Sequence, residues 1–228
     1  MILAFLFSLI IMIGLFLFGE RMSRRHIADL KAVQASHKKP TSRFGGVGIF
    51  CGVYIWILLQ PMGSLEFFLG MSALPLFFVG LVEDISGKVA ALYRLIAAAV
   101  SAVFAIILIG VTITDLDIDL LNKLLLLPVL GVVFTVFVSC GVVNSFNLID
   151  GVNGFCSGFT IVLSMILAYI CHTYGELQLY RLCIVIAFAV FAFFIFNFPF
   201  GLVFLGDSGA YLLGHLLCWI AITLLAKH

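Results

Sequence analysis

The apolar positions of this chain fall in long blocks separated by short polar breaks. The blocks run roughly over 1–18, 45–60, 67–82, 89–113, 124–143, 155–172, 182–199 and 209–226. A helix needs about 20 mostly apolar residues, with a range of about 17–25, to cross a bilayer core. The pattern therefore predicts an all-α fold, a polytopic transmembrane helix bundle of about eight spans. The second and third blocks are short for a span. No internal repeat and no Ser/Pro-rich linker divides the chain, so residues 1–228 read as one domain. Met1–Phe18 lacks a basic leader and a small-residue cleavage site, which makes it a retained first span and not a signal peptide.

Charge sets an expected orientation. Arg21, Arg24, Arg25, Lys31, Lys38, Lys39 and Arg43 all follow the first span, and they are more than half of the 12 Lys and Arg. By the positive-inside rule this connection is cytoplasmic and the N-terminus external. Counting spans forward puts the connections near Glu83–Lys88, Asn144–Asn153 and Phe200–Ser208 on the same cytoplasmic face. These are the three breaks that combine carboxylates with glycines or amides. A single site at the membrane surface, built from four connections, follows from that placement.

Composition narrows the class. Apolar residues make up 64% and charged residues 10% of the chain, which belongs to multi-span membrane proteins and not to soluble domains. The formal net charge of +1 gives no electrostatic footprint for nucleic acid. Cys51, Cys140, Cys156, Cys171, Cys183 and Cys218 are scattered, mostly inside apolar blocks, and read as small buried hydrophobes.

The breaks carry the candidate chemistry. Glu83 and Asp84 are adjacent acids at the end of an apolar block, and paired carboxylates can bind a divalent cation or divide base and charge roles. Asp207 lies between Gly206 and Ser208-Gly209 at the start of the last block; it fits a helix cap as well as a ligand site. Asn144 and Asn147 share a helical face beside Asp150. Lys88 and Arg94 follow the first acids, as phosphate binding with Mg²⁺ would use, and they also suit snorkelling at the interface. His37 through Gly46 is a basic, glycine-ended loop, which fits an anionic-lipid patch or a tighter site. His215 reads as a hydrogen-bonded bundle histidine. Asp115, Asp117 and Asp119 alternate like a calcium loop but lack its glycine and closing glutamate, so an external turn or short hairpin is expected. Acids at span ends on one face, with no repeat, argue against a transporter.

Four stretches in order, His37 to Gly46, Gly80 to Lys88, Asn144 to Gly154, and Phe196-Asn197 through Gly209, resemble the motifs of the polyprenyl-phosphate N-acetylhexosamine-1-phosphate transferases, glycosyltransferase family 4. The resemblance implies an enzyme in the cell membrane, its site facing the cytoplasm. It would use Mg²⁺, with Mn²⁺ as a substitute, to move a sugar-1-phosphate from a UDP-sugar to a polyprenyl phosphate and release UMP. The pathways it implies are peptidoglycan or envelope polysaccharide synthesis, lipopolysaccharide included. By the same resemblance Asp207 is the principal metal ligand. Glu83 and Asp84 are the acidic pair that activates the lipid phosphate or assists the metal, and Asp150 and Asn147 are polar groups on the nucleotide side. Phe204 is the aromatic that stacks on uracil, Lys88 lies near the phosphates, and His37, Thr41 and Asn197 belong to substrate-binding motifs.

Three residues depart from the family pattern: Glu83 for an Asp, Asn153 for an Asp, and Ala210 for a Ser. Family members also continue into further spans and a cytoplasmic histidine loop, which 1–228 lacks. The resemblance therefore leaves open a truncated sequence, a second chain that completes the site, a homodimer, or an inactive scaffold of the same fold. It leaves the particular UDP-sugar and polyprenyl phosphate open as well.

Overall fold

A computed structural model describes residues 1–23 and 41–228. Among these the chain is helical, with nine helices: α1 (Ile2–Ser23), α2 (Gly45–Ile57), α3 (Leu65–Ser86), α4 (Ala91–Ile109), α5 (Asp119–Leu125), α6 (Pro128–Ile149), α7 (Phe155–Thr173), α8 (Leu177–Asn197) and α9 (Gly206–Lys227). Six of them, α3, α4 and α6–α9, are long and apolar enough to cross a membrane. Two more, α1 over Ile2–Leu17 and α2, are apolar but shorter. The protein is thus an integral membrane helix bundle. Seven-residue α5 lies between the spans α4 and α6.

The last span is the axis of the bundle. Helix α9 is apolar on all sides, and such a helix is buried; of its residues from Gly206 to Leu224, nearly all are enclosed, against α3, α6 and α2. Lipid tails are as apolar as Leu, so close packing and interhelical hydrogen bonds must hold these helices together. Glycines supply the close packing. A Cβ on Gly80 of α3 would stand 2.7 Å from the Ser208 backbone, and one on Gly209 of α9 would stand 2.8 Å from Gly46 Cα of α2. Further along α9, His215 Nε2 meets Ser72 Oγ at 2.9 Å and Trp219 Nε1 donates to Ser139 Oγ at 3.1 Å. Such buried bonds average about 0.6 kcal/mol in membranes, so the glycine-mediated contact is the larger determinant of where α9 sits.

The connections run alternately between the two ends of the bundle. Helix α1 lies parallel to α8: Ser8 Oγ donates to the Ala189 carbonyl at 3.0 Å, and further on Phe16 meets Phe196 with ring centroids 6.2 Å apart. The C-terminal ends of α3, α6 and α8 and the N-terminal ends of α2, α4, α7 and α9 meet at one end, as the contacts described below show.

Element boundaries differ from the hydropathy blocks at that end. The stretches expected as connections are partly helical: Glu83 and Asp84 lie in the last turn of α3, Asn144 and Asn147 in α6, and Asp207 and Ser208 in the first turn of α9. Polar side chains stop a hydropathy block, but they do not stop a helix whose end is satisfied. Helix α3 continues until Gly87, whose positive φ of 61° lets its N–H return to the Glu83 carbonyl at 2.7 Å. Of the turn or short hairpin expected around Asp115–Asp119, the structure has the turn. Asp115 Oδ1 accepts from the Asp117 N–H at 2.9 Å and from Asn122 Nδ2 at 2.5 Å, and the chain turns straight into α5.

Candidate functional site

The site is built on the N-terminus of α9. The first backbone N–H groups of a helix have no partner within it, and here carboxylates from two other helices take them. Asp84, on the last turn of α3, accepts from the Asp207 N–H at 2.7 Å on Oδ1 and from the Ser208 N–H at 3.0 Å on Oδ2. The Ser208 hydroxyl donates to the same Oδ2 at 2.5 Å. Asp150, the residue that ends α6, accepts from the Gly206 N–H. Gly206 is needed there: its φ is 77°, and a Cβ would lie 2.7 Å from both Asp84 oxygens. Asp207 therefore does not cap its own helix. Its carboxylate is left to face outward, half-buried, where Arg94 Nη1 of α4 meets Oδ2 at 2.7 Å.

Three carboxylates thus gather around one helix end, with Arg94 and Arg43 as the neighbouring cations. Burial pushes the Asp150 carboxyl up to about 7, and the Asp207 and Asp84 charges push the same way, against Arg43 and the Gly206 N–H. The cluster is short of positive charge. Glu83 points elsewhere: its Oε2 accepts from the Val89 N–H at 2.7 Å and so shapes the turn into α4.

The connection between α8 and α9 forms the other wall. Asn197 is buried and braces it, accepting from the Gly154 N–H at 2.6 Å and donating to the Val203 carbonyl at 2.9 Å. Ser42 and Val203 form a short parallel bridge. The Phe204 N–H donates to the Ser42 carbonyl, and the first N–H groups of α2, from Gly45 and Gly46, donate to the Phe204 and Leu205 carbonyls at 2.9 and 2.8 Å. The end of the basic loop is thus fixed beside Asp207. Phe204 itself is half-buried at this wall.

The structure brings together Asp84, Asp150, Asp207, Asn197, Phe204 and, through Ser42, the segment that holds Thr41. Asn147 is one turn before Asp150 on α6. Lys88 is exposed beside the α3–α4 turn. His37 lies outside the described residues. Sequence reasoning passed over Ser208 and Tyr211. Tyr211 follows Asp207 by four residues, which places it on the same helix face, and it lies against both Asp207 and Arg94. That spacing was the available signal. For Ser208 the only signal was its place between small residues.

Among the described residues no three His, Cys, Asp or Glu side chains stand close enough to hold a metal by themselves. Mg²⁺ does not require that, because it is commonly held by one or two carboxylates together with substrate phosphates and water. Asp207 and Asp150 fit such a shared site, as hard oxygen donors in a cluster with excess negative charge. Asp84, expected as a ligand or base, has both oxygens engaged by α9.

Comparison with known proteins gives the family. The sequence profile of glycosyl transferase family 4 matches residues 67–225, and the chain belongs to that family. An undecaprenyl-phosphate alpha-N-acetylglucosaminyl 1-phosphate transferase of Thermotoga maritima is 30% identical over 179 residues, which are 78% of this chain and 50% of the relative. A phospho-N-acetylmuramoyl-pentapeptide-transferase of Staphylococcus carnosus is 33% identical over 114 residues, 50% of this chain and 36% of the relative. A probable undecaprenyl-phosphate N-acetylglucosaminyl 1-phosphate transferase of Bacillus subtilis is 26% identical over 184 residues, 78% of this chain and 50% of the relative. The chain thus spans about half, or less, of the length of these curated relatives.

Proposed function

We propose that this chain carries the metal and phosphate side of a transferase that moves an N-acetylhexosamine-1-phosphate from a UDP-sugar to a polyprenyl phosphate and releases UMP, at the cytoplasmic face of the membrane, in synthesis of cell-wall or envelope polysaccharide. The observation that carries the proposal is the gathering of Asp84, Asp150 and Asp207 around the start of α9, with Arg94 beside Asp207. The names of the Thermotoga and Staphylococcus relatives support the reaction class.

In this reading an oxygen of the lipid phosphate attacks the phosphorus that bears the sugar, and the bond from that phosphorus to UMP breaks. The lipid phosphate is already an oxyanion at neutral pH, so it needs little proton abstraction. The greater barrier is the approach of two anions, and positioning with charge neutralisation carries most of such a reaction. Asp207 and Asp150 would hold Mg²⁺, which would supply charge neutralisation at the phosphate oxygens. Asp84 fixes the first turn of α9 and hence the direction of Asp207. Phe204 offers an aromatic face to the uracil, Lys88 and Arg43 add positive charge at the rim, and Asn197 holds the wall. Glu83 sets the α3–α4 turn.

The test is UMP release from several UDP-sugars with polyprenyl phosphate and Mg²⁺. The 228 residues are assayed alone and together with the C-terminal portion of a longer relative. Mg²⁺-dependent release in either arrangement that Asp207→Asn abolishes supports the proposal. No release in both arrangements, with the protein correctly inserted, defeats it.

A further inference from the structure

The Arg94–Asp207 pair has a property that an ordinary structural ion pair does not need. The Nη1 nitrogen reaches Asp207 Oδ2 at 2.7 Å, but the Arg94 Nε is buried and has no hydrogen-bond partner among the described residues. An unmet buried donor costs free energy, so the guanidinium is only partly satisfied where it stands. The charge of Glu83, on the helix preceding α4, also acts on it, although the Glu83 carboxylate itself is bonded to the Val89 N–H. Asp207 thus has its outward oxygen covered by a cation that belongs to the chain and that is itself incompletely bonded.

We propose that Arg94 is a place-holding counter-ion, which occupies the Asp207 carboxylate until a divalent cation displaces it. The proposal rests on the reading above in giving Asp207 to the metal. Without a metal, Arg94 neutralises Asp207 and keeps three carboxylates from repelling one another. A divalent cation on Asp207 takes over that charge, and the guanidinium turns away toward the open side of the site. Arg94 is in this sense a positioning residue that sets metal affinity.

Mn²⁺ binding to the full 228-residue chain in phosphatidylcholine nanodiscs, followed by electron paramagnetic resonance with no nucleotide or lipid phosphate present, tests this. Arg94→Gln removes the competitor, and its Mn²⁺ affinity is expected to rise about fivefold or more, the scale of a partly exposed ion pair. Arg94→Lys keeps the charge and is expected to bind within about twofold of wild type. Unchanged or weaker binding by Arg94→Gln, with Asp207→Asn abolishing binding, overturns the counter-ion role and leaves the metal assignment standing. Mn²⁺ binding by Asp207→Asn equal to wild type overturns both that role and the metal assignment, while UMP release remains a separate measure of the reaction. A second measurement needs no variant: saturating Mn²⁺ should speed phenylglyoxal modification of Arg94, read by mass spectrometry. No change, or protection, counts against the proposal.

Discussion

Asp84 and Ser208, 124 positions apart, are joined by two hydrogen bonds to one carboxylate oxygen: from the Ser208 N–H at 3.0 Å and from its hydroxyl at 2.5 Å. The other oxygen holds the Asp207 N–H. A carboxylate at the C-terminal end of one span thus caps the N-terminal end of another, where the helix dipole favours negative charge.

Replacing Asp84 should therefore act on structure before chemistry. Asp84→Ala leaves three donors at the start of α9 without an acceptor, at a cost on the order of 3 kcal/mol. Asp84→Asn can accept on one oxygen only and should lose less. Thermal unfolding in detergent is expected to rank wild type above Asn above Ala. Mn²⁺ affinity should fall in the same order, because Asp207 loses its orientation. Full stability together with lost affinity would instead make Asp84 a direct ligand.

The close approach of α3 to α9 gives a second prediction. A Cβ on Gly80 would be 2.7 Å from Ser208 N and Cα, both backbone atoms that cannot move aside. Gly80→Val should separate the two helices and cost about 1–3 kcal/mol or more, as overpacking does. Gly87 offers a contrast. It has open space around it but a φ of 61°, so Gly87→Ala should cost about 1 kcal/mol in backbone strain alone. Unfolding midpoints should separate the two variants. The Asp84–Ser208 contact should be lost only in the Gly80 variant, seen as a fall in Mn²⁺ affinity.

Hydropathy made the six helices of membrane-spanning length and the two shorter apolar ones legible, because the requirement to bury backbone polar groups in lipid leaves few alternatives. The meeting of the three breaks at one end was legible through the parity of the spans. Helix ends were not. Asp84 and Asp207 look like loop residues in a window average, yet both are helical: α3 is closed locally by Gly87, and the start of α9 is satisfied by Asp84, more than a hundred residues away. Asn197 shows the same limit. As a motif residue it suggests substrate contact, and only the fold reveals Gly154 and Val203 on its two ends. Nothing at the level of spacing could tell whether Arg94 would turn to the interface or to Asp207, since both lie within reach of a long side chain at a helix start.

The electrostatics of Asp150 predict a pH dependence. Its carboxyl is raised from 3.8 to about 7 by burial and by the charges of Asp207 and Asp84, so the folded protein binds this proton more tightly than the unfolded chain. The resulting stability is fully present below about 4 and is lost as pH rises through about 7. Unfolding midpoints of wild type should fall across that range, and Asp150→Asn should show a shallower fall. Cation binding should follow the opposite sign. A divalent ion beside Asp150 needs the ionised form, so Mn²⁺ affinity should rise as pH goes from 6 to about 8 and level off once the proton has left. A flat profile for wild type, or the same slope in Asp150→Asn, would remove Asp150 from the site.

The side of the membrane that the site faces can be settled by labelling. Ser86 and Ser145 are exposed, at the ends of α3 and α6 that meet the start of α9, whereas Met62 is 90% exposed in the turn between α2 and α3 at the other end of the bundle. By the positive-inside rule the basic residues after α1 lead to the expectation that the site end faces the cytoplasm, the side the proposed reaction requires. Single cysteines at 86 and 145, in a background without the native cysteines, should therefore resist a membrane-impermeant maleimide in intact cells and react after lysis. A cysteine at 62 should react in intact cells. Labelling of position 86 or 145 from outside, with position 62 protected, would invert the topology. The cluster of Asp84, Asp150 and Asp207 would then face a compartment without UDP-sugar, and the proposed reaction could not take place there.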